Sequence, residues 1–243
     1  MMKKLFSQIY TLWCGFWFIV LFLLLFPIVY VSLQKEEWKP TAHYCNRIWG
    51  KIFFFMIGSP LQITFEEPID SKKVYVFCAN HFSYLDIATM GVIIKNYFAF
   101  MGKSSAKNIP LFGYMFAKLH IQVDRADKNS RTKALVKSMK ALKSGRSIMI
   151  FPEGGIHSKN IPEMVQPFKD GAFIMAIENE VPIVPISLLD NYKMMPDILF
   201  HWHPLRVIVH RPIDTKGKTK DDMPDLKRQV YEAIQPHLHQ YLD

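Results

Sequence analysis

From Leu5 to Leu33 the chain carries no charged residue, and Phe, Trp, Tyr, Leu and Ile fill most of the positions. A run longer than the roughly 20 apolar residues that cross a bilayer as a helix has to be placed in lipid or against protein. No small-residue cleavage site follows it, and its apolar core is too long for a secretory signal, so it is expected to stay in the chain. Pro27 interrupts the run, and Lys3 and Lys4 on one side face Lys35, Glu36 and Glu37 on the other, which gives no clear orientation by loop charge. A second segment, about Thr41 to Ile57, repeats Tyr44, Ile48, Ile52 and Phe55 at helical spacing with Arg47 and Lys51 offset from them. Trp38 and Trp49 suit an interfacial depth. Residues 1–59 are therefore read as membrane-associating helices. A pair lying in one leaflet accounts for the pattern at least as well as a single span does, and is the favoured reading.

The formal net charge of +9 suits nucleic acid, anionic lipid or acidic carriers. The apolar front end selects the anionic membrane surface, where each Lys or Arg gains about 1 kcal/mol, and no nucleic-acid partner is expected. Cys14, Cys45 and Cys78 are an odd count without paired spacing, which argues against disulfides and zinc and for a reducing compartment.

After Pro60 short apolar runs alternate with helical patterns, which predicts an α/β fold with a mostly parallel sheet flanked by helices over residues 60–243. The strand candidates are Val74–Cys78, Tyr97–Met101, Ser147–Phe151, Ile183–Ser187 and Leu205–His210, with a possible short strand before Asp124. Lys128–Ser144 is the clearest helix, its stripe of Leu135, Met139 and Leu142 stopped by Gly145. A last helix is expected from about Asp222 towards Tyr241, with Pro236 kinking or breaking it.

Asn80-His81-Phe82-Ser83-Tyr84-Leu85-Asp86 follows the first of these strands. Ser83 suits the N-cap of a helix and Asp86 its first turn. From there Asp86 reaches back towards His81, and a histidine held by a carboxylate keeps one tautomer and becomes a better base. Taken alone, Ser83-x-x-Asp86 is equally an ordinary capping box. Further clusters accompany it: Lys103 with Ile109–Gly113, then Val123-Asp124-Arg125, then Phe151-Pro152-Glu153-Gly154-Gly155, then Val181-Pro182-Ile183-Val184-Pro185-Ile186. His81, Asp86, Glu153 and Gly154 map to the C-terminal strand edge, where open α/β sheets bind ligands.

That order, His-x4-Asp, Asp-Arg, Phe-Pro-Glu-Gly and Val-Pro-Ile-Val-Pro-Ile, resembles the four blocks of the glycerolipid acyltransferase superfamily, of the 1-acylglycerol-3-phosphate acyltransferase type. The resemblance covers roughly residues 74–187 and extends to the membrane-embedded helical pair at the front. It implies transfer of an acyl group from acyl-CoA or acyl carrier protein to the hydroxyl of lysophosphatidic acid, forming phosphatidic acid at the cytoplasmic face of a membrane, with no cofactor. It implies His81 as general base, Asp86 as its partner, Arg125 as phosphate ligand, Glu153 and Gly154 in acceptor binding, and Lys103 as a further cation near the acceptor. The proline-bracketed block reads as packing.

One departure bears on the acceptor. The family usually follows Phe-Pro-Glu-Gly with a hydroxyl residue and a basic one, whereas this chain has Gly155 and Ile156, then His157, Ser158 and Lys159. A different lysolipid or a hydroxylated aminolipid is therefore the alternative acceptor. A thioester hydrolase and a non-catalytic lipid-binding module are the readings from other classes. His201-x-His203 has metal-ligand spacing but no acidic or cysteine partner nearby, and no metal site is expected.

Overall fold

A computed structural model describes residues 2–240. The 31-residue helix α1, Met2–Ser32, is roughly 46 Å long at 1.5 Å per residue. Pro27 stays inside it, where the sequence suggested an interruption. A turn leads to α2, Lys39–Met56. Tyr10, Cys14 and Leu21 form the buried stripe of α1, packing with Phe53, Phe54 and Ile57 at the end of α2. Trp13 Nε1 donates to Met56 O (3.0 Å) and Tyr10 Oη to Ile57 O (2.8 Å). The remaining surface of α1 exposes Leu5, Phe6, Leu12, Phe16, Leu24 and Val31, among others. Lys3–Ser32 is long and apolar enough to cross a membrane.

Both ends of α1 also dock on the rest of the protein. Near its start Phe200 N donates to Thr11 Oγ1 (2.8 Å) and Ser7 Oγ pairs with His201 Nδ1 (3.0 Å). At its far end Val29 and Leu33 pack with Met115 and Leu119, and Gln34 Nε2 donates to Tyr114 Oη (3.1 Å).

The α/β body contains a seven-stranded sheet: β1 Leu61–Phe65, β2 Val76–Ala79, β3 Phe98–Lys103, β4 Ile121–Val123, β5 Ser147–Ile150, β6 Ile183–Leu188 and β7 Leu205–Val209, in the order β1-β7-β6-β2-β5-β3-β4. The strands from β6 to β4 are mutually parallel; β7 pairs antiparallel with β6, and β1 runs parallel to β7. The sheet is thus mostly parallel, as its apolar runs predict. The interior strands β2, β5 and β6 are buried along their whole length, with Val76, Ile148 and Ile183 contributing no exposed surface.

The helices follow from local signals. In α5, Lys128–Lys143, Asp127 caps the N-terminus by accepting from Asn129 N and Ser130 N, both at 3.0 Å. Gly145 at φ +86° lets the chain turn back so that Arg146 N reaches Ala141 O. The shorter helices are α3 Leu85–Ile93, α4 Phe112–Leu119, α6 Gly171–Glu178 and α7 Asn191–Met194. The C-terminal α8 runs Met223–Gln240 and continues through Pro236 rather than breaking there; Tyr241 lies outside the described residues. Leu226, Val230 and Ile234 on α8 join the core formed by α6 and the sheet.

Candidate active site

The central pair of parallel strands, β2 and β5, delivers two loops to the same sheet edge. His81 lies just beyond β2, and Phe151, Pro152 and Glu153 just beyond β5. The His81 ring lies flat on Phe151, with centroids 3.8 Å apart and planes 9° from parallel. His81 Nδ1 and Asp86 Oδ2 are 2.8 Å apart, and both residues are buried. The sequence puts the helix start at Ser83; here α3 begins one residue later, with Tyr84 already helical as its N-cap. Ser83 Oγ still accepts from Leu85 N (3.2 Å), but donates to Met195 O (2.9 Å), which ties the turn to the α7 end.

The Asp86 carboxylate is fully engaged. Oδ2 accepts from Phe82 N and Ser83 N, each at 3.0 Å, besides facing His81. Oδ1 accepts from Asn191 Nδ2 at 2.8 Å. Asn191 is buried at the start of α7 and also reaches Thr89 Oγ1 (3.1 Å). With three donors converging on one oxygen, the carboxylate is fixed, and it in turn fixes the imidazole. A proton on Nδ1 shared with Asp86 leaves Nε2 of His81 as the basic nitrogen. Nothing in the sequence marks Asn191, which is far from Asp86 along the chain.

Glu153 does not project into solvent. It is 2% exposed, and its Oε1 accepts from His81 N (2.8 Å) while Oε2 accepts from Val165 N (2.9 Å). Burial pushes its carboxyl up to about 7, against the pull of those two N–H donors. The side chain thus joins the His81 loop to the 152–170 segment. In this arrangement it holds the His81 backbone in place.

The remaining candidates form a cationic rim along the same edge. Lys103 ends β3, paired in register with Val123 of β4, and Arg125 follows two residues later. Asp124 does not pair with Arg125; its carboxylate accepts from Ala126 N (3.0 Å) within the turn. Gly154 has φ +84°, and its open side is covered by the Lys169 stem. At Gly155 a Cβ would lie 2.6 Å from His157 Nε2 and 2.9 Å from Arg125 Nη1. The guanidinium and the imidazole therefore occupy the volume a larger residue would claim. Lys103, Arg125, Lys169 and Lys159 form no ion pair among the described residues. Partial desolvation lowers Arg125 from the ordinary arginine value.

An apolar cavity of about 190 Å³ opens between α1–α2 and α3–α4, lined by Trp49, Tyr84, Ala88, Gly91, Phe100 and Phe116, among others. Tyr84, two residues before Asp86 in the chain, forms part of its wall. His201 and His203 do not converge: the first pairs with Ser7 Oγ, and the second places Nδ1 2.6 Å from Pro204 O.

Comparison with known proteins agrees with this architecture. A chloroplastic 1-acyl-sn-glycerol-3-phosphate acyltransferase of Brassica napus is 31% identical over 189 residues, which is 76% of this chain and 54% of that protein. The chain thus spans about half the length of that relative. A 1-acyl-sn-glycerol-3-phosphate acyltransferase of Chlamydomonas reinhardtii is 27% identical over 98% of this chain and 72% of its own length. The crystal structure of the 1-acyl-sn-glycerophosphate acyltransferase PlsC from Thermotoga maritima superposes with a TM-score of 0.78 at 22% identity, covering 98% of this chain and 97% of that one, and so shares the fold. The Acyltransferase family model matches residues 60–189, more than half of the chain and the whole stretch from β1 to the end of β6, and the chain belongs to that family.

Proposed function

We propose that the protein transfers an acyl group from a coenzyme A or acyl carrier protein thioester to the free hydroxyl of lysophosphatidic acid, giving phosphatidic acid. The observation that carries this reading is a buried His81–Asp86 pair on the same sheet edge as a rim of cations that have no carboxylate partner among the described residues. His81 Nε2 takes the proton of the acceptor hydroxyl as its oxygen attacks the thioester carbonyl. The C–S bond breaks, the thiolate leaves, and the imidazolium returns the proton to it. A thioester is already activated, so no acyl-enzyme is required. General-base assistance of this kind contributes ~10²–10⁴-fold, and holding both substrates in one orientation up to roughly 7–11 kcal/mol.

Arg125 is the leading phosphate ligand, since a guanidinium engages two oxygens at once. Lys103, Lys169 and the loop around Gly154 complete the anion site, while Glu153 acts by holding the His81 backbone. The cavity beside Tyr84 takes an acyl chain.

The N-terminal helices lie in the plane of the membrane. Docking of both ends of α1 on the body supports this, because a helix crossing the bilayer would carry the body's polar surface with it. Substrate and product then exchange with one leaflet, on the cytoplasmic side, where anionic lipid meets the basic surface.

Gly155-Ile156 favours one second reading, in which the acceptor carries another headgroup. The test is acyl transfer in mixed micelles to lysophosphatidic acid beside zwitterionic and uncharged lyso-acceptors, each with both thioester donors. Preference for lysophosphatidic acid that Arg125→Ala weakens supports the proposal. Transfer only to the other acceptors overturns the headgroup assignment and leaves the acyl-transfer chemistry standing.

A further inference from the structure

Because β1 and β7 run opposite to the five parallel strands from β6 to β4, their C-terminal ends lie at the edge of the sheet away from His81. Glu66 follows β1 there, His210 follows β7, and His237 comes from α8. One ligand atom of each lies within 4.8 Å of the others. His210 Nδ1 and Glu66 Oε1 are 2.8 Å apart, and the His210 and His237 ring centroids are 4.9 Å apart.

Two features set this group apart from an ordinary buried histidine pair. His237 Nδ1 is buried and has no hydrogen-bond partner among the described residues, an omission folded proteins rarely leave uncompensated. Behind His210, a second layer is already in place: Nε2 is 2.7 Å from Ser187 Oγ, which lies 3.4 Å from Ile234 O. A metal-bound histidine donates its distal N–H to such an oxygen, which fixes tautomer and ring plane. Without a cation, Nδ1–H of His210 donates to Glu66 and Ser187 donates to Nε2. With a cation on Nδ1, the proton sits on Nε2, donates to Ser187, and the hydroxyl turns to Ile234 O. Both states are satisfied, and the imidazole is neutral in each.

We propose that Glu66, His210 and His237 form a binding site for a divalent transition-metal ion, zinc being the best match to a two-histidine, one-carboxylate donor set. In a tetrahedral zinc site neighbouring ligand atoms lie roughly 3.3 Å apart, from bonds of about 2.0–2.1 Å. Glu66 Oε1 and His210 Nδ1 are 2.8 Å apart and the His237 ligand atom lies within 4.8 Å of both, so closure needs only side-chain adjustment. Glu66 is 34% exposed at its side chain, which gives the ion an approach from solvent and leaves a fourth position for water. The three ligands lie just after β1, just after β7 and on α8, so the ion would clip the C-terminal helix to the edge of the sheet. Its role is structural, because the dyad lies at the other end of the strands. The inference is independent of the acyl-transfer reading.

The test uses full-length, tag-free protein in detergent, stripped with chelator and titrated with zinc chloride, with magnesium chloride as control. Wild type should bind one zinc ion, and at about 100 times the dissociation constant its melting temperature should rise by roughly 5–10 °C. Magnesium should do neither, and His237→Ala and Glu66→Gln should each lose the site while melting near the metal-free wild type. Absence of a saturable site in wild type, or full retention of the site in both variants, overturns the proposal.

Discussion

Replacing Asp86 by Asn separates charge from geometry in the dyad. Three donors converge on Oδ2, namely His81 Nδ1, Phe82 N and Ser83 N, so in the variant the amide oxygen has to take that position. An NH2 group there would face all three. The new NH2 then meets Asn191 Nδ2, 2.8 Å from the position it takes over. Asn191 Oδ1 is buried without a partner among the described residues, and rotating that amide presents it to the new donor at the loss of the Thr89 contact. The variant should therefore fold, about 1 kcal/mol less stable for roughly one hydrogen bond. His81 keeps its tautomer, and only the carboxylate's stabilisation of the imidazolium is lost. Charge-assisted hydrogen bonds exceed neutral ones by about 1–2 kcal/mol, so kcat should fall roughly 5–30-fold. A wrong tautomer, by contrast, costs on the order of 10⁴ in the serine-protease triad. Asp86→Ala, which leaves two backbone N–H groups, Asn191 and His81 without an acceptor, should approach the loss of His81→Ala. The assay is initial rate of transfer from a labelled thioester to lysophosphatidic acid, with folding checked by denaturation. Asp86→Asn as inactive as His81→Ala would refute the tautomer argument, and Asp86→Asn at the wild-type rate would refute any electrostatic part for the carboxylate.

Gly155→Thr should raise KM for lysophosphatidic acid severalfold with kcat changed less, because its Cβ displaces Arg125 Nη1 and His157 Nε2; a KM equal to wild type would separate the guanidinium from acceptor binding. Gly91→Leu should shift acyl preference to shorter chains in a competition assay, since a Cβ at Gly91 has nothing within 4 Å and points no clash at the backbone. The same change should raise helix stability by up to about 1 kcal/mol, and an unshifted chain profile would place the acyl chain elsewhere. Burial raises Glu153 from 4.5 to about 7, so the folded state holds a proton the unfolded chain has released. Its contribution is complete below about 4.5 and is lost as pH rises through 7, a change of up to about 3 kcal/mol over that window. Denaturation midpoints of wild type and Glu153→Gln across pH 4.5–8 should therefore diverge in slope, with the variant flatter; parallel slopes would contradict the burial argument.

The strands legible in the sequence are those whose apolar runs are buried on both faces, such as Ser147–Ile150 and Ile183–Leu188. β1 is not among them, because Leu61–Phe65 is an edge strand with no fully buried residue. The reversal of β7 against β6 is equally hidden, since nothing local to Leu205–Val209 encodes the direction of its partner. Pro236 points to a break that α8 does not have: it sits near the helix end on an exposed face while Ile234 and Leu238 remain packed. At the site, the spacing of His81 and Asp86 makes their contact legible, because five residues across a strand-to-helix turn bring the two together. Asn191 is not legible, because the contact that orients Asp86 depends on β6 lying beside β2. Glu153 can be read as a member of the site but not in the part it plays there, since only the fold shows both of its oxygens turned inward to backbone N–H groups. Glu66, His210 and His237 share no local spacing and meet only through the order of strands and the docking of α8.

A single-turnover reaction of purified wild type and His81→Ala with a labelled thioester and lysophosphatidic acid, both proteins confirmed folded, tests the proposed role of His81 as the base for transfer to a lysolipid hydroxyl. Wild type should give phosphatidic acid with no label retained on the protein, and the variant's rate should be reduced at least ~10²-fold. Equal rates from the two proteins, or no transfer by wild type from either thioester donor to any lyso-acceptor, would contradict it.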